Sequence, residues 1–153
     1  MEKSVLFVCS GNTCRSPLAE AWFNKRAAEC GLTGYVGKSA GLFAMPGGLA
    51  SDNSQMVAAE FGGSLENFRS QPLSYELIRE ASLIIGMTDG HCRKIAGAVP
   101  EAAGKVHRLL EFDEDGEVSD PFGGSLEDYQ TCFKSMQKAI DNLILNLKNN
   151  NSI

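Results

Sequence analysis

The chain has 153 residues, 43% apolar and 22% charged, with a formal net charge of −5. Those values suit one globular domain over residues 1–153 and exclude an intrinsically disordered chain. The acidic balance argues against broad nucleic-acid binding, and no run approaches the roughly 20 apolar residues of a membrane-spanning helix. Neither nucleic acid nor membrane is therefore an expected partner.

The first expected element is a strand over Val5–Val8, a continuous run of β-branched, aliphatic and aromatic residues that suits burial on both faces. Gly11 and Asn12 break it. Ser16 and Pro17 predict a helix start, with Ser16 as cap and Pro17 in the first turn. Leu18, Ala21, Trp22, Lys25 and Ala28 follow at helical spacing, and Gly31 ends the helix. Tyr35–Ser39 reads as a short second strand, followed by a turn at Ala40 and Gly41. A loop at Pro46-Gly47-Gly48 leads to a helix over Ser51–Phe61, stopped by Gly62 and Gly63. Ser74–Glu80 is a short helix, Leu83–Met87 a third buried strand, and Asp89–Ala98 a helix ended near Pro100. Lys105–Leu110 reads as a fourth strand and Glu111–Gly124 as a polar loop. Leu126, Tyr129, Phe133, Met136, Ile140, Leu143 and Leu147 recur at spacings of three and four, which predicts a long amphipathic helix. Asn149 to Ser152 reads as a frayed tail.

Strands alternating with helices predict an α/β fold: a three-layer architecture with a four-stranded parallel sheet and helices on both faces. In such sheets ligands sit beyond the carboxyl ends of the strands, so the loop after the first strand is the first place to look.

That loop reads Cys9-Ser10-Gly11-Asn12-Thr13-Cys14-Arg15-Ser16-Pro17. Gly11 and Asn12 best tolerate positive φ, so the turn can aim successive backbone N–H groups inward as an anion-binding nest. The helix starting near Ser16 adds its N-terminal dipole, and Arg15 adds a fork of donors suited to two oxyanion oxygens. The same field favours the thiolate of Cys9, the reactive form of the residue. Thiolate and oxyanion pocket together describe phosphoryl transfer to sulfur: in-line attack on phosphorus, equatorial oxygens held by the nest and Arg15, then hydrolysis of a phosphocysteine. The residues expected to bind substrate are Ser10, Gly11, Asn12, Thr13, Cys14 and Ser16.

Five cysteines, Cys9, Cys14, Cys30, Cys92 and Cys132, form an odd count, and the N-terminal apolar run is too short for a signal-peptide core. The expected setting is reducing and cytoplasmic, where a conspicuous cysteine is catalytic or redox-active rather than structural. Two separated histidines and scattered acids make no metal site, and the chemistry needs no cofactor.

The string Cys-x-Gly-Asn-x-Cys-Arg-Ser-Pro resembles the signature of the low-molecular-weight protein tyrosine phosphatases. The resemblance extends through Ser39-Ala40-Gly41, the Leu83–Met87 strand and a late Asp-Pro. It implies Cys9 as nucleophile and Arg15 as phosphate clamp. Asn12 and Ser16 would support the loop, Ser16 would assist the thiolate, and Ser39 would bond Asn12. It also implies that Cys14 can form a protective disulfide with Cys9 under oxidation. Many members carry a histidine near position 68 that braces the loop asparagine; Phe68 cannot, so the bracing here must differ.

Asp120-Pro121-Phe122-Gly123-Gly124 alone would be an ordinary turn before a helix. The resemblance makes Asp120 the expected general acid and base. Two positions bear on substrate. Thr13 stands where tyrosine phosphatases of the family carry Ile or Leu, and Phe122-Gly123-Gly124 resembles the protein arginine phosphatase branch. A hydroxyl at Thr13 can meet the N–H groups of a guanidinium that an aliphatic side chain would leave unpaired, and Phe122 can stack on its plane.

The expected function is therefore a cysteine-dependent protein phosphatase acting on phosphoarginine in proteins, with phosphotyrosine as the alternative. Arsenate reduction on the same scaffold needs a relay pair of cysteines from the segment after the third strand, and in that segment only Cys92 is present. A catalytically idle phosphoprotein-binding module is disfavoured by the intact Cys9, Arg15 and Asp120. The expected partner is a phosphorylated protein, with no oligomeric state assigned.

Overall fold

A computed structural model describes residues 2–149. The expected tail therefore lies outside the described residues from Asn150 onward, while Asn149 is the C-cap of the last helix. Four strands, β1 (Lys3–Cys9), β2 (Tyr35–Gly41), β3 (Leu83–Gly86) and β4 (Val106–Arg108), form one parallel sheet in the order β2-β1-β3-β4. The helices are α1 (Arg15–Glu29), α2 (Asp52–Glu60), α3 (Tyr75–Glu80), α4 (Asp89–Ala98) and α5 (Leu126–Lys148). None is long and apolar enough to cross a membrane.

The central strands divide their side chains between two cores. Val5, Phe7, Leu83 and Ile85 face the layer built by α1, α2 and α5, whereas Leu6, Val8 and Ile84 face Ile78, Ile95 and Val99 on the other side. Alternation across a pleat doubly covered by helices explains why these strands read as unbroken apolar runs. α5 buries Tyr129, Cys132, Phe133, Met136, Ile140, Leu143 and Leu147 in one stripe, closely matching the expected periodicity. Trp22, Phe61 and Phe133 form an aromatic cluster, with Phe61 and Phe133 stacked at 4.7 Å between ring centroids.

Four expectations need correction, the first being that β2 continues through Ala40 and Gly41, where a turn is expected, because both pair with the end of β1. The fourth strand is three residues long, because Pro100–Lys105 and Leu109–Phe112 on either side are 3-10 turns. The buried stripe of α1 runs through Leu18, Ala19, Trp22, Phe23 and Ala27, leaving Ala28 exposed and Lys25 half-exposed. Ser16 does not cap α1: the helix begins at Arg15, its N-cap residue is Cys14, and no side chain caps it. Ser16 is buried inside the first turn, where its hydroxyl is committed to the site. By contrast Ser51, Ser74 and Ser125 cap α2, α3 and α5 through their side-chain oxygens.

Candidate active site

β1 ends at Cys9 in the middle of the sheet, and the chain loops over the strand ends before entering α1. The carbonyls of Cys9, Ser10 and Thr13 accept from the N–H groups of Leu42, Phe43 and Ser51, and that of Cys14 from Leu18 and the Ser54 hydroxyl. In a trans peptide the N–H points opposite to the C=O. The N–H groups of Ser10, Gly11, Cys14 and Arg15 therefore face away from those partners, toward the inside of the loop. The only positive φ in the loop is at Asn12, 56°; Gly11, expected to share that role, has none.

Asn12 is fully buried and anchors the turn with three hydrogen bonds. Its Nδ2 donates to Ser16 Oγ at 2.8 Å and to Ser39 Oγ at 3.0 Å, while Oδ1 accepts from Gln71 N at 2.9 Å. Ser39 in turn donates to Glu20 at 2.5 Å, and burial pushes the Glu20 carboxyl up, partly offset by that hydrogen bond. This is how the loop is braced with phenylalanine at position 68: the backbone of Gln71 does part of the work, and Phe68 packs against the main core. Ser16 Oγ lies 2.9 Å from Cys9 Sγ. With Asn12 donating to Ser16, the Ser16 hydroxyl proton is available to a Cys9 thiolate.

Arg15 is buried, with NH1 donating to Val118 O at 2.9 Å and NH2 3.6 Å from Asp120 Oδ2. The loop before α5 thus reaches the phosphate loop through two contacts to one guanidinium. Asp120 Oδ1 also accepts from Phe122 N, which fixes the turn that presents both residues. Cys9, Ser10, Thr13, Arg15, Asp120 and Phe122, with Phe43 and Met45, line a pocket of about 500 Å³. Phe122 is 76% exposed and Phe43 70%, so neither ring is used to pack its own loop.

Cys14 lines the same pocket, with its thiol held beside α5. Its Sγ lies 3.2 Å from Tyr129 OH and 3.6 Å from Thr13 Oγ1, and all five cysteines carry free thiols. Cys30 sits at the C-cap of α1, and Cys92 and Cys132 lie on α4 and α5. Burial pushes the Cys92 thiol up to about 11 and the Cys132 thiol up to about 12, which leaves both as poor nucleophiles.

Sequence reasoning missed Val118, Tyr129, Glu20 and His91 as parts of the site. His91 Nε2 lies 3.0 Å from Ser10 Oγ, and Nδ1 accepts from Thr88 N. A Thr-x-x-His pattern at a helix start carries a hint of the second contact, but nothing local in sequence signals the first. Within the polar loop expected over Glu111–Gly124, Glu117 accepts from Asp89 N at 2.7 Å and ties that loop to the start of α4.

Residues 4–152 match the family model of the low molecular weight phosphotyrosine protein phosphatases. A protein-arginine-phosphatase of Geobacillus stearothermophilus is 40% identical over 145 residues, covering 94% of this chain and 95% of that relative. The low molecular weight protein-tyrosine-phosphatase Etp of Escherichia coli is 32% identical over 136 residues, covering 89% and 88%. A solved structure of a YwlE arginine phosphatase mutant with a phosphorylated active site serine superposes with a TM-score of 0.90 at 37% identity, covering 95% of each chain. The match spans every strand, every helix and both loops that meet at Arg15, and the chain belongs to the low molecular weight phosphotyrosine protein phosphatase family of hydrolases.

Proposed function

We propose that this protein dephosphorylates phosphoarginine in proteins, with Cys9 as nucleophile, Arg15 as phosphoryl clamp and Asp120 as general acid and base. The observation that carries the chemistry is the convergence of Cys9 Sγ, the outward-bonded carbonyls of its loop and the buried Arg15 fork on one pocket. A phosphoryl group there would have its equatorial oxygens against the loop N–H groups and Arg15. The Cys9 thiolate, steadied by Ser16, attacks phosphorus, the bond to the leaving nitrogen breaks, and Asp120 supplies that nitrogen with a proton. Water then attacks the phosphocysteine, Asp120 takes its proton, and inorganic phosphate leaves. The phosphorylated serine in the active site of the YwlE relative supports an intermediate carried on the loop nucleophile.

The arginine assignment rests on the pocket wall. Thr13 presents a hydroxyl and Phe122 an unpacked aromatic face to the same space. A guanidinium needs both kinds of contact, and the 40% identical relative is named for that substrate. Phosphotyrosine is the second reading, favoured by the names of relatives such as Etp and by the apolar rim of Phe43 and Met45. Arsenate reduction is not favoured, because Cys92, the one cysteine in the segment that follows β3 directly, is half-buried on α4 with its thiol pushed up and has no second cysteine on that helix. Cys14 is assigned as the thiol that would trap an oxidised Cys9, once its side chain leaves Tyr129.

The deciding experiment is kcat/KM on phosphoarginine and phosphotyrosine, measured side by side, for the wild type and Cys9→Ser. The expected result is a preference for phosphoarginine that Cys9→Ser abolishes. Equal or reversed preference removes the arginine assignment, and turnover by Cys9→Ser removes the mechanism.

A further inference from the structure

A polarised chain of hydrogen bonds runs from the start of α4 into the phosphate loop. The Thr88 backbone N–H donates to His91 Nδ1 at 3.2 Å, an amide nitrogen can only donate, and the Thr88 hydroxyl, already accepting from His91 N, has its own proton to give to the same ring nitrogen at 3.1 Å. In the neutral ring Nδ1 is therefore the bare nitrogen and the proton sits on Nε2. Nε2 lies 3.0 Å from Ser10 Oγ, so Ser10 is the acceptor in that contact. The Ser10 hydroxyl proton is then left over, and no acceptor among the described residues takes it. Ser10 lines the pocket that Cys9 and Arg15 also line.

Two further observations fit a built contact. His91 is buried, at 6% exposure, although it sits in the first turn of a helix near a surface pocket. Gly86, at the end of β3, lets α4 come close: a Cβ there would lie 2.7 Å from Cys92 Sγ and 3.3 Å from His91 Cβ. The ring also stays neutral. Burial, then the nearby Arg15, and to a lesser degree Lys94, push His91 down to about 4, against the opposite pull of Asp120 and Glu117.

We infer that His91 is a positioning residue for phosphoryl binding: by donating to Ser10 Oγ it turns the Ser10 hydroxyl into a further donor to a phosphoryl oxygen in the pocket. This deepens the proposed function and rests on reading the loop as an oxyanion site. The contact joins residues 81 positions apart and gives α4 a part in substrate binding that no residue of the loop itself supplies.

The test is a double-mutant cycle on inorganic phosphate affinity, measured by titration calorimetry for the wild type, His91→Phe, Ser10→Ala and the double variant. Each single change should weaken phosphate binding about five- to tenfold, the scale of one lost hydrogen bond, and the double variant should bind no more weakly than either single one. Additive losses, or wild-type affinity in Ser10→Ala, would overturn the inference. If His91→Phe fails to fold, Ser10→Ala alone decides it, since there His91 keeps its own helix contacts. Wild-type protein that does not bind phosphate would instead sink the oxyanion-site reading itself.

Discussion

Replacing Gly41 with alanine should disable the site without touching any group that reacts. Gly41 ends β2, paired with Cys9 at the end of β1, and has an ordinary negative φ, so backbone conformation is no obstacle. Space is the obstacle. A Cβ at Gly41 would lie 2.6 Å from Ser10 O, 2.9 Å from Asn12 N and 3.0 Å from Ala44 Cβ, against ordinary contacts of 3.4–4 Å. Two of those three atoms are phosphate-loop backbone, which cannot rotate away as a side chain can. Relief requires several tenths of an ångström of movement in the segment that orients the pocket N–H groups. Overpacking of this kind costs about 1–3 kcal/mol of stability, and sub-ångström misplacement of binding groups lowers kcat/KM by about 10- to 100-fold. Gly37→Ala is the control: its Cβ would meet Phe23 Cδ1 at 2.9 Å and Asn24 Oδ1 at 3.2 Å, both side-chain atoms of α1 remote from the pocket. The assay is kcat/KM together with thermal unfolding of both variants. Gly37→Ala should lose stability only. Wild-type kcat/KM in a folded Gly41→Ala would show that β2 does not hold the loop in place and would refute the reasoning.

Further outcomes can be measured on the same protein. Thr13→Ile should shift the kcat/KM ratio from phosphoarginine toward phosphotyrosine by about tenfold, the worth of one unsatisfied polar group; an unchanged ratio would remove Thr13 from specificity. Asp120→Asn should lower kcat by about 100-fold or more, and a loss below about tenfold would rule it out as the acid. Phe133→Ala, which opens the stack on Phe61 and Trp22, should cost about 3–5 kcal/mol in urea unfolding, with a smaller loss showing that the cluster collapses to fill the gap. His91 titrates near 4 folded and near 6.5 unfolded, so the unfolded chain binds more protons between those values. Its contribution is complete above pH 6.5 and is lost as pH falls toward 4, by at most about 3 kcal/mol. Glu20, with its carboxyl pushed up, acts in the opposite direction: its contribution is present at low pH and lost as pH rises. The difference between wild type and His91→Phe across pH 4–7 isolates the histidine, and parallel curves would contradict its burial as a neutral ring.

The legible parts of the molecule were those coded locally. The apolar run of β1, the Gly11-Asn12 break and the one-sided stripe of α5 each state their structure within a few residues, and the parallel pairing of the sheet follows from the alternation of strands with helices. The pairing of Cys9 with Arg15 in one pocket was legible for the same reason, the two being six positions apart on one loop. What was not legible depends on partners far along the chain. Val118 meets Arg15 across 103 residues, Tyr129 meets Cys14 across 115, and His91 meets Ser10 across 81. Ser16 was misread as a cap because a serine before proline at a helix start is the usual capping pattern; burial beside Asn12 and Cys9 redirects its hydroxyl. β4 was read as too long because Leu109 and Leu110 were taken as part of the strand, yet the 3-10 turn at Leu109 buries that side chain without sheet pairing.

The double attachment of Arg15 sets the order of events in the proposed cycle. One arm of its guanidinium is fastened to a backbone carbonyl, and the other faces a half-exposed carboxylate. The resting pocket therefore already holds an anion of its own, tethered and easily displaced. An arriving phosphoryl group competes for the same arm, and winning it sets Asp120 loose beside the leaving group. Cargo without a phosphoryl group cannot make that exchange, so the carboxylate proposed as acid and base stays held on Arg15, unable to take up the proton it would deliver, until the right charge has arrived.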